Sequence, residues 1–305
     1  MEPYRIVSID GGGVRGIFAA ALLEKIHHEA PEALARADLL AGTSTGGLIV
    51  LSLAYGMSPE EIVRLFEENG KRIFSGTFLG SIKDLNGFVG PEYRFNFLKG
   101  LLEERFGDTR LGDLERHVVI PAFSLDNLGP DGKPTGGPRS WHPRFLHNLP
   151  HDETYHGERL VDVALRTSAA PMYFPTYQGH IDGGVVANNP SLAAVTTVRR
   201  AAPDRSLASF RLLSIGTGLV PAFIERDRNW GVRQWIKPLL RLMVEGSMGA
   251  VHEHCEALLG AGYHRLDPMP SVAVKLDDSK RMDALVECAR EHELNGTVDW
   301  LAEHF

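Results

Sequence analysis

A run of three glycines between an apolar stretch and a helical pattern constrains the fold of this chain more than any other feature. Residues 6–18 read IVSIDGGGVRGIF, and the apolar run stops at Asp10, just before the glycines. Such a run indicates one of two things. Either the backbone turns in a way that side chains forbid, or an anion lies very close to the backbone N–H groups.

Strand-like and helix-like patterns alternate along the rest of the chain. Strands are predicted at 4–9, 38–41, 117–123, 145–149, 180–182, 210–215 and 271–275. Helices are predicted at 16–29, 44–55, 93–106, 159–168, 190–201, 236–260, 279–292 and 297–304, with another helix beginning at Ser58 and loops at 71–90 and 127–140. This alternation predicts a three-layer α/β/α fold with a largely parallel central sheet.

The glycine run also matches a nucleotide-binding pattern. Gly11, Gly13 and Gly16 fit GxGxxG, which in dinucleotide-binding proteins is followed after about 20 residues by an acidic residue at a strand end. Asp38 lies at nearly that distance, but it begins its predicted strand. A dinucleotide-dependent oxidoreductase is therefore a disfavoured alternative, and a purely structural turn is another.

A second motif, GTSTG at 42–46, fits the GxSxG nucleophile elbow. That motif needs a strand, a sharp turn and a helix, and the sequence ADLLAGTSTGGLIVLSLAY provides all three. Gly42 and Gly46 would relieve crowding around the turn. Ser44 would then lie at a helix N-terminus, where the dipole favours a developing negative charge. The alternative is that Ser44 is an ordinary helix N-cap.

A nucleophilic serine needs a base. None of the thirteen histidines has an obviously catalytic setting, because His252 and His254 lie two apart on a helical pattern and point to different faces. Asp182 is the better candidate, since it ends a short strand and precedes Gly183 and Gly184. Its alternative role is an Asx-type turn.

Taken together, four motifs resemble those of the patatin-like phospholipase family. They are DGGGVRG at 10–16, GTSTG at 42–46, TSAAPMYFP at 167–175 and DGGVVANNP at 182–190, and they cover roughly the first 220 residues in order. The resemblance implies a patatin fold, related to cytosolic phospholipase A2, that hydrolyses acyl esters of lipids with a serine–aspartate dyad and no histidine.

Carried over by motif position, the resemblance makes Ser44 the nucleophile and Asp182 the base. It also implies an oxyanion loop, formed by Gly11, Gly12 and Gly13 with Arg15. The anion near the glycines would then be the tetrahedral oxyanion of an ester, and losing one donor to it typically costs about 3–4 kcal/mol. Arg15 could add positive charge or hold the loop in place. The scheme requires no metal and no cofactor.

The dyad raises a chemical difficulty, because an ordinary aspartate has a pKa near ~3.9 and is a weak base for a hydroxyl. A water-poor site would raise that pKa. We expect the same carboxylate, Asp182, to activate the water that later cleaves the acyl-enzyme.

The remaining expectations concern organisation and partners. With no internal repeat or clear linker, residues 1–305 are predicted to form a single domain, with motifs within 6–220 and a C-terminal extension, 221–305, packed on it. A net charge of −7 argues against nucleic acid as a partner. No signal peptide or spanning helix is evident, so we expect a cytoplasmic protein with peripheral membrane contact. A homo-oligomer stays open, as does a latent effector of the same fold, activated by a small ligand or a partner, as in bacterial antiviral defence.

Two segments are predicted to line the entrance to the site and to meet lipid. One is 71–90, whose apolar residues are Ile73, Phe74, Phe78, Leu79 and Phe88. The other is 219–240, where aromatic and basic residues alternate: Phe223, Arg226, Arg228, Trp230, Arg233 and Trp235. Their alternative role is inward packing or a subunit contact.

Overall fold

The protein is described by a computed structural model that covers residues 2–74, 91–128, 133–135, 137–171, 173–218, 220, 224, 229–272 and 279–305. Within those ranges, none of the helices combines the length and the apolar character needed to cross a bilayer.

A central sheet organises the described part of the chain. Its strands are β1 (Tyr4–Ile9), β2 (Leu39–Gly42), β3 (His117–Ser124), β4 (His142–His147), β5 (His180–Asp182), β6 (Phe210–Ile215) and β7 (Tyr263–Leu266). They lie in the order β4-β3-β2-β1-β6-β7, with β5 also paired to β3. β3, β2, β1, β6 and β7 run parallel, whereas β4 and β5 are antiparallel to β3.

Helices cover both faces of this sheet. They are α1 (Gly16–Glu29), α2 (Pro31–Ala35), α3 (Thr45–Ala54), α4 (Pro59–Phe74), α5 (Pro91–Phe106), α6 (Leu160–Thr167), α7 (Gly184–Ala187), α8 (Ser191–Ala201), α9 (Val232–Leu259), α10 (Met282–Glu291) and α11 (Asn295–His304). Short 3-10 turns precede α1, β3, β6, β7 and α10.

Alternate residues of each strand enter two separate cores. On β1, Val7 and Ile9 pack into a large core with α1, α3 to α6 and α10, whereas Ile6 packs with α8 and Cys255 of α9 on the other face. Strands buried on both faces read as continuous apolar runs, which is the pattern of β1 and β6 in the sequence. The predicted three-layer fold with a largely parallel sheet is confirmed.

Two strands approach each other end to end along one edge of β3. β2 pairs with the beginning of β3, up to Ala41 opposite Val119, and β5 pairs with its end, from Asp182 opposite Ala122. Because β2 is parallel to β3 and β5 is antiparallel, the carboxyl ends of β2 and β5 face each other beside Pro121. This topology brings together two chain segments that lie about 140 residues apart in the sequence.

Several predicted boundaries differ from those observed. Residues 71–74, predicted to begin a loop, continue α4, where Ile73 is buried in the core and Phe74 packs against it. The prediction that these two side chains line an entrance is therefore wrong. Pro31, interpreted only as the end of a helix, begins α2, since proline is well suited to a first helical turn. Residues 75–90 of the predicted entrance and 273–275 of the last predicted strand lie outside the described residues.

Candidate active site

The turn after β2 has the geometry of a nucleophile elbow. Ser44 has φ 54° and ψ −124°, a conformation that residues with a Cβ rarely adopt, and it immediately precedes α3. A side chain on Gly42 would overlap the Gly46 carbonyl, and one on Gly46 would lie 2.6 Å from the Asp10 carbonyl oxygen. The two glycines are therefore required by close backbone contact, as the motif predicts.

The Ser44 side chain makes a short hydrogen bond across the gap between the ends of β2 and β5. Its hydroxyl donates to Oδ2 of Asp182 at 2.6 Å, and it makes no capping bond to α3. The interpretation of Ser44 as an ordinary N-cap is therefore not supported. Among the described residues, no histidine is hydrogen-bonded to either side chain; His180 contacts the Gln178 carbonyl instead.

Asp182 is buried, with its two carboxylate oxygens bonded to different partners. Oδ2 accepts from Ser44, while Oδ1 accepts from the N–H of Gly184 at 2.7 Å, so an Asx-type bond coexists with the dyad contact. Burial raises the pKa of Asp182 to about 6, although the hydrogen bonds from Ser44 and Gly184 oppose that rise. The carboxylate is thus a stronger base than an exposed aspartate.

Thr167 fixes the elbow in place. Its hydroxyl accepts the N–H of Ser44 at 3.0 Å and donates to the Pro121 carbonyl at 2.6 Å. Thr43, next to Ser44, donates to the Ala187 carbonyl at 2.6 Å. Sequence reasoning missed both roles, although Thr167 is the first residue of the TSAAPMYFP motif.

The glycine loop borders Ser44, since a Cβ added to Gly11 would lie 3.3 Å from that of Ser44. Two of its N–H groups already have protein acceptors. Gly11 donates to the Asn188 carbonyl at 3.0 Å, and Gly12 donates to the Thr45 hydroxyl at 3.2 Å. Gly13 has φ 55° and is partly exposed, and its N–H has no acceptor among the described residues. The predicted loop therefore presents Gly13 as its free donor.

The close neighbours of Gly12 and Arg15 indicate the structural role of each residue. A Cβ on Gly12 would overlap the side chain of Thr217, so Gly12 permits packing between the loop and the end of β6. The Arg15 guanidinium is buried; it donates to the Gly218 carbonyl at 3.2 Å and lies 3.6 Å from a carboxylate oxygen of Glu245. Burial lowers the pKa of Arg15. Of the two roles considered for Arg15, these contacts support holding the loop in place.

Asn188, from the DGGVVANNP motif, is a further support of the loop. Its side-chain amide donates to the Gly11 carbonyl at 3.0 Å and to the Met248 sulfur of α9 at 2.7 Å.

The two glycines after Asp182 have no room for side chains, because Gly184 lies close to Asp182 and Gly183 lies close to the Pro121 carbonyl.

A buried ion pair that sequence reasoning missed anchors the start of the loop. Arg265 of β7 binds both carboxylate oxygens of Asp10, at 3.0 and 2.6 Å, and also Asp267 at 2.8 Å and the Ser214 hydroxyl at 2.8 Å. Burial alone lowers the pKa of Arg265, but the neighbouring Asp10 carboxylate raises it, so the guanidinium stays charged. Asp267 also accepts the N–H of Gly218 at 3.0 Å.

The site contains few groups suited to a metal ion. In the part of the chain that the structure describes, no group of three or more histidine, cysteine, aspartate or glutamate side chains is placed to hold one. The polar groups that the described residues bring together at the site are the Ser44 hydroxyl, the buried Asp182 carboxylate and backbone N–H groups.

Comparisons with known proteins show which family this chain resembles. A family model described as patatin-like phospholipase matches residues 7–195. CotR of Bacillus subtilis is 31% identical, and the alignment covers 100% of this chain and 99% of CotR. The cGAMP-activated phospholipase of Pseudomonas aeruginosa is 32% identical, covering 92% of this chain and 82% of that protein. Patatin-like protein 1 of Arabidopsis thaliana is 30% identical, and the alignment covers 84% of this chain and 71% of that protein.

Proposed function

Because the chain belongs to the patatin-like phospholipase family, we propose that it is a phospholipase A or esterase that cleaves fatty acyl esters of membrane lipids with a Ser44–Asp182 dyad. The observation that carries the proposal is the 2.6 Å hydrogen bond from the Ser44 hydroxyl, held on a strained elbow, to a buried carboxylate. An enzyme of this kind meets its lipid at a membrane or micelle interface.

Acylation begins when Oγ of Ser44 attacks the carbonyl carbon of the ester and its proton passes to Oδ2 of Asp182. The raised pKa of Asp182, about 6, supports this step, because a general base works best when its pKa lies near the working pH. Collapse of the tetrahedral intermediate breaks the ester C–O bond, and the leaving alcohol takes the proton back from Asp182. The product is an acyl ester on Ser44.

The negative charge of the intermediate falls on the former carbonyl oxygen. The free N–H of Gly13 is one donor for it, and the first N–H groups of α3, which have no acceptor within the helix, are others. Gly11, Gly12 and Arg15 belong to this oxyanion loop as its support, because their polar groups bind Asn188, Thr45 and the Gly218 carbonyl.

Deacylation uses the same two residues, with Asp182 again as the base and Ser44 now as the leaving group. Asp182 takes a proton from a water molecule as that water attacks the acyl carbon, and it returns the proton to Oγ of Ser44 as the fatty acid leaves. No histidine enters the cycle.

The test is hydrolysis of a short-chain nitrophenyl ester and of phospholipid vesicles by the purified protein. Ser44→Ala and Asp182→Asn should each retain less than about a thousandth of wild-type turnover, since removing a serine nucleophile costs about 10⁶-fold. His180→Gln, two residues from Asp182, is the matched control and should stay active. Activity retained by Asp182→Asn but lost by His180→Gln would identify a histidine base and refute the dyad.

A second candidate function is a latent effector of the same fold that is active only with a bound ligand. It is favoured by the similarity to a phospholipase named as cGAMP-activated, and by the occupied N–H groups of Gly11 and Gly12. Ester hydrolysis measured with and without cGAMP separates the two. A large stimulation, absent from Ser44→Ala, supports the latent effector, whereas equal rates support a constitutive enzyme.

A further inference from the structure

The first half of α9 exposes large apolar side chains along one side. At 3.6 residues per turn, they lie within an arc of about 100°. This α9 apolar stripe consists of Val232 (77% exposed), Trp235 (37%), Leu239 (48%), Leu242 (47%) and Met243 (54%). Exposed apolar surface of this kind marks an interaction site in a soluble protein.

The stripe does not continue along the second half of the helix. The same side is exposed there too, but it carries only small or charged residues: Gly246, Gly249, Ala250, Glu253 and Ala257. Large apolar side chains on this side of α9 are therefore confined to residues 232–243.

Charge and aromatic content distinguish the same segment. Residues 229–240 include Arg233 and Lys237 but no acidic residue, in a chain whose net charge is −7. The rings of Trp230 and Trp235 lie 5.3 Å apart in an edge-to-face arrangement. Tryptophan with basic residues on an amphipathic helix is typical of a helix that lies in a bilayer interface.

The other side of α9 contacts the residues that hold the glycine loop. Glu245 pairs with the buried Arg15, and the sulfur of Met248 accepts a hydrogen bond from Asn188. Arg241 bonds to Glu245 at 2.9 Å and to the Val220 carbonyl at 2.9 Å. One helix therefore connects an exposed apolar surface with the support of the proposed oxyanion loop.

We propose that the α9 apolar stripe docks on the surface of a lipid bilayer and positions the active site at the membrane. This inference rests on the proposed function, because it names the surface through which that enzyme reaches its substrate. A second copy of the chain fits less well, since a two-fold contact through this face would bring two acid-free, basic segments together.

The experiment measures partitioning of the purified full chain onto vesicles of phosphatidylcholine with one third phosphatidylglycerol. Leu239→Ser/Leu242→Ser should lower the partition coefficient about tenfold or more, because two half-exposed leucines no longer enter the interface. Leu258→Ser, also in α9 and 47% exposed but outside the stripe, is the matched control and should partition like wild type. Met243→Gln provides an independent stripe variant, and circular dichroism verifies each fold.

Partitioning is repeated in Ser44→Ala protein, so that binding is measured without turnover. If the wild-type protein had no esterase activity but its partitioning still depended on the stripe, the proposed function would be refuted and the docking proposal would stand. An active enzyme whose partitioning is unchanged in the stripe variants, or lost equally in Leu258→Ser, would overturn the docking proposal. Absence of wild-type partitioning would also overturn it, as would a wild-type dimer that the stripe substitutions dissociate in sedimentation velocity.

Discussion

The substitution Asp182→Asn should inactivate the enzyme and stabilise its fold at high pH. Burial raises the pKa of Asp182 from 3.8 to about 6, which means that the folded protein resists the charged form of this side chain. At about 1.4 kcal/mol per pKa unit, the difference is worth about 3 kcal/mol. This contribution to the free energy of unfolding is fully present below the pKa that Asp182 has in the unfolded chain, and it is lost as the pH rises through about 6.

An uncharged amide at this position avoids the loss. The asparagine side chain is isosteric with that of aspartate, and its oxygen can still accept the N–H of Gly184. Relative to wild type, the free energy of unfolding of the variant should therefore rise by about 3 kcal/mol between about pH 4 and about pH 8.

Urea unfolding followed by circular dichroism at several pH values measures this difference. Asp283→Asn, an exposed aspartate of α10, controls for the substitution itself. If the stability difference between Asp182→Asn and wild type were the same at both ends of the pH range, the carboxylate would have an ordinary pKa. An aspartate with an ordinary pKa is a weak base near neutral pH, so this result would refute the proposed role of Asp182 as the general base.

Three further substitutions and one pH profile test other contacts. The turnover number should rise with pH through about 6 as the dyad carboxylate loses its proton, and a profile flat from about pH 5 to 8 would contradict this. Ser44→Gly should be more stable than Ser44→Ala by about 1–3 kcal/mol in urea, because glycine relieves the positive φ, although both lack activity. Arg265→Met should lower the free energy of unfolding by about 3–5 kcal/mol because it leaves the buried Asp10 carboxyl without its partner, and adding Asp10→Asn should recover part of the loss. Gly12→Ala should lower both the melting temperature and activity, and Thr217→Gly should partly restore them if the side-chain overlap is the cause.

The sequence predicted those parts of the site whose signal is local. The elbow was recognisable because an apolar strand, two glycines around a serine and a helical pattern follow one another within about 20 residues, and the structure places β2, Ser44 and α3 in that order. Asp182 was recognisable for a similar reason, as a carboxylate at a strand end before two glycines. That these two residues act as a catalytic dyad stays a prediction until the variants are measured.

Contacts between distant segments could not be predicted in this way. Nothing in the periodicity around Arg265 indicates a partner 255 residues earlier, because strand order decides which residues become neighbours, and local patterns do not specify that order. The neighbour that a Cβ on Gly12 would meet was equally hidden, and the structure shows that it is the side chain of Thr217. The sequence does not show whether a hydroxyl group such as that of Thr167 makes a structural hydrogen bond or lies exposed to solvent.

The pairing of Asp10 with Arg265 has a consequence during protein synthesis. Asp10, at the start of the glycine loop, is made 255 residues before Arg265, so its carboxylate has no counterion until β7 is made and joins β6. Contacts so far apart in sequence form late in folding, since the whole intervening chain must be ordered first. A ribosome-bound nascent chain that has only the first two motifs therefore lacks a fixed loop, and we expect ester hydrolysis only after the residues up to β7 have been made.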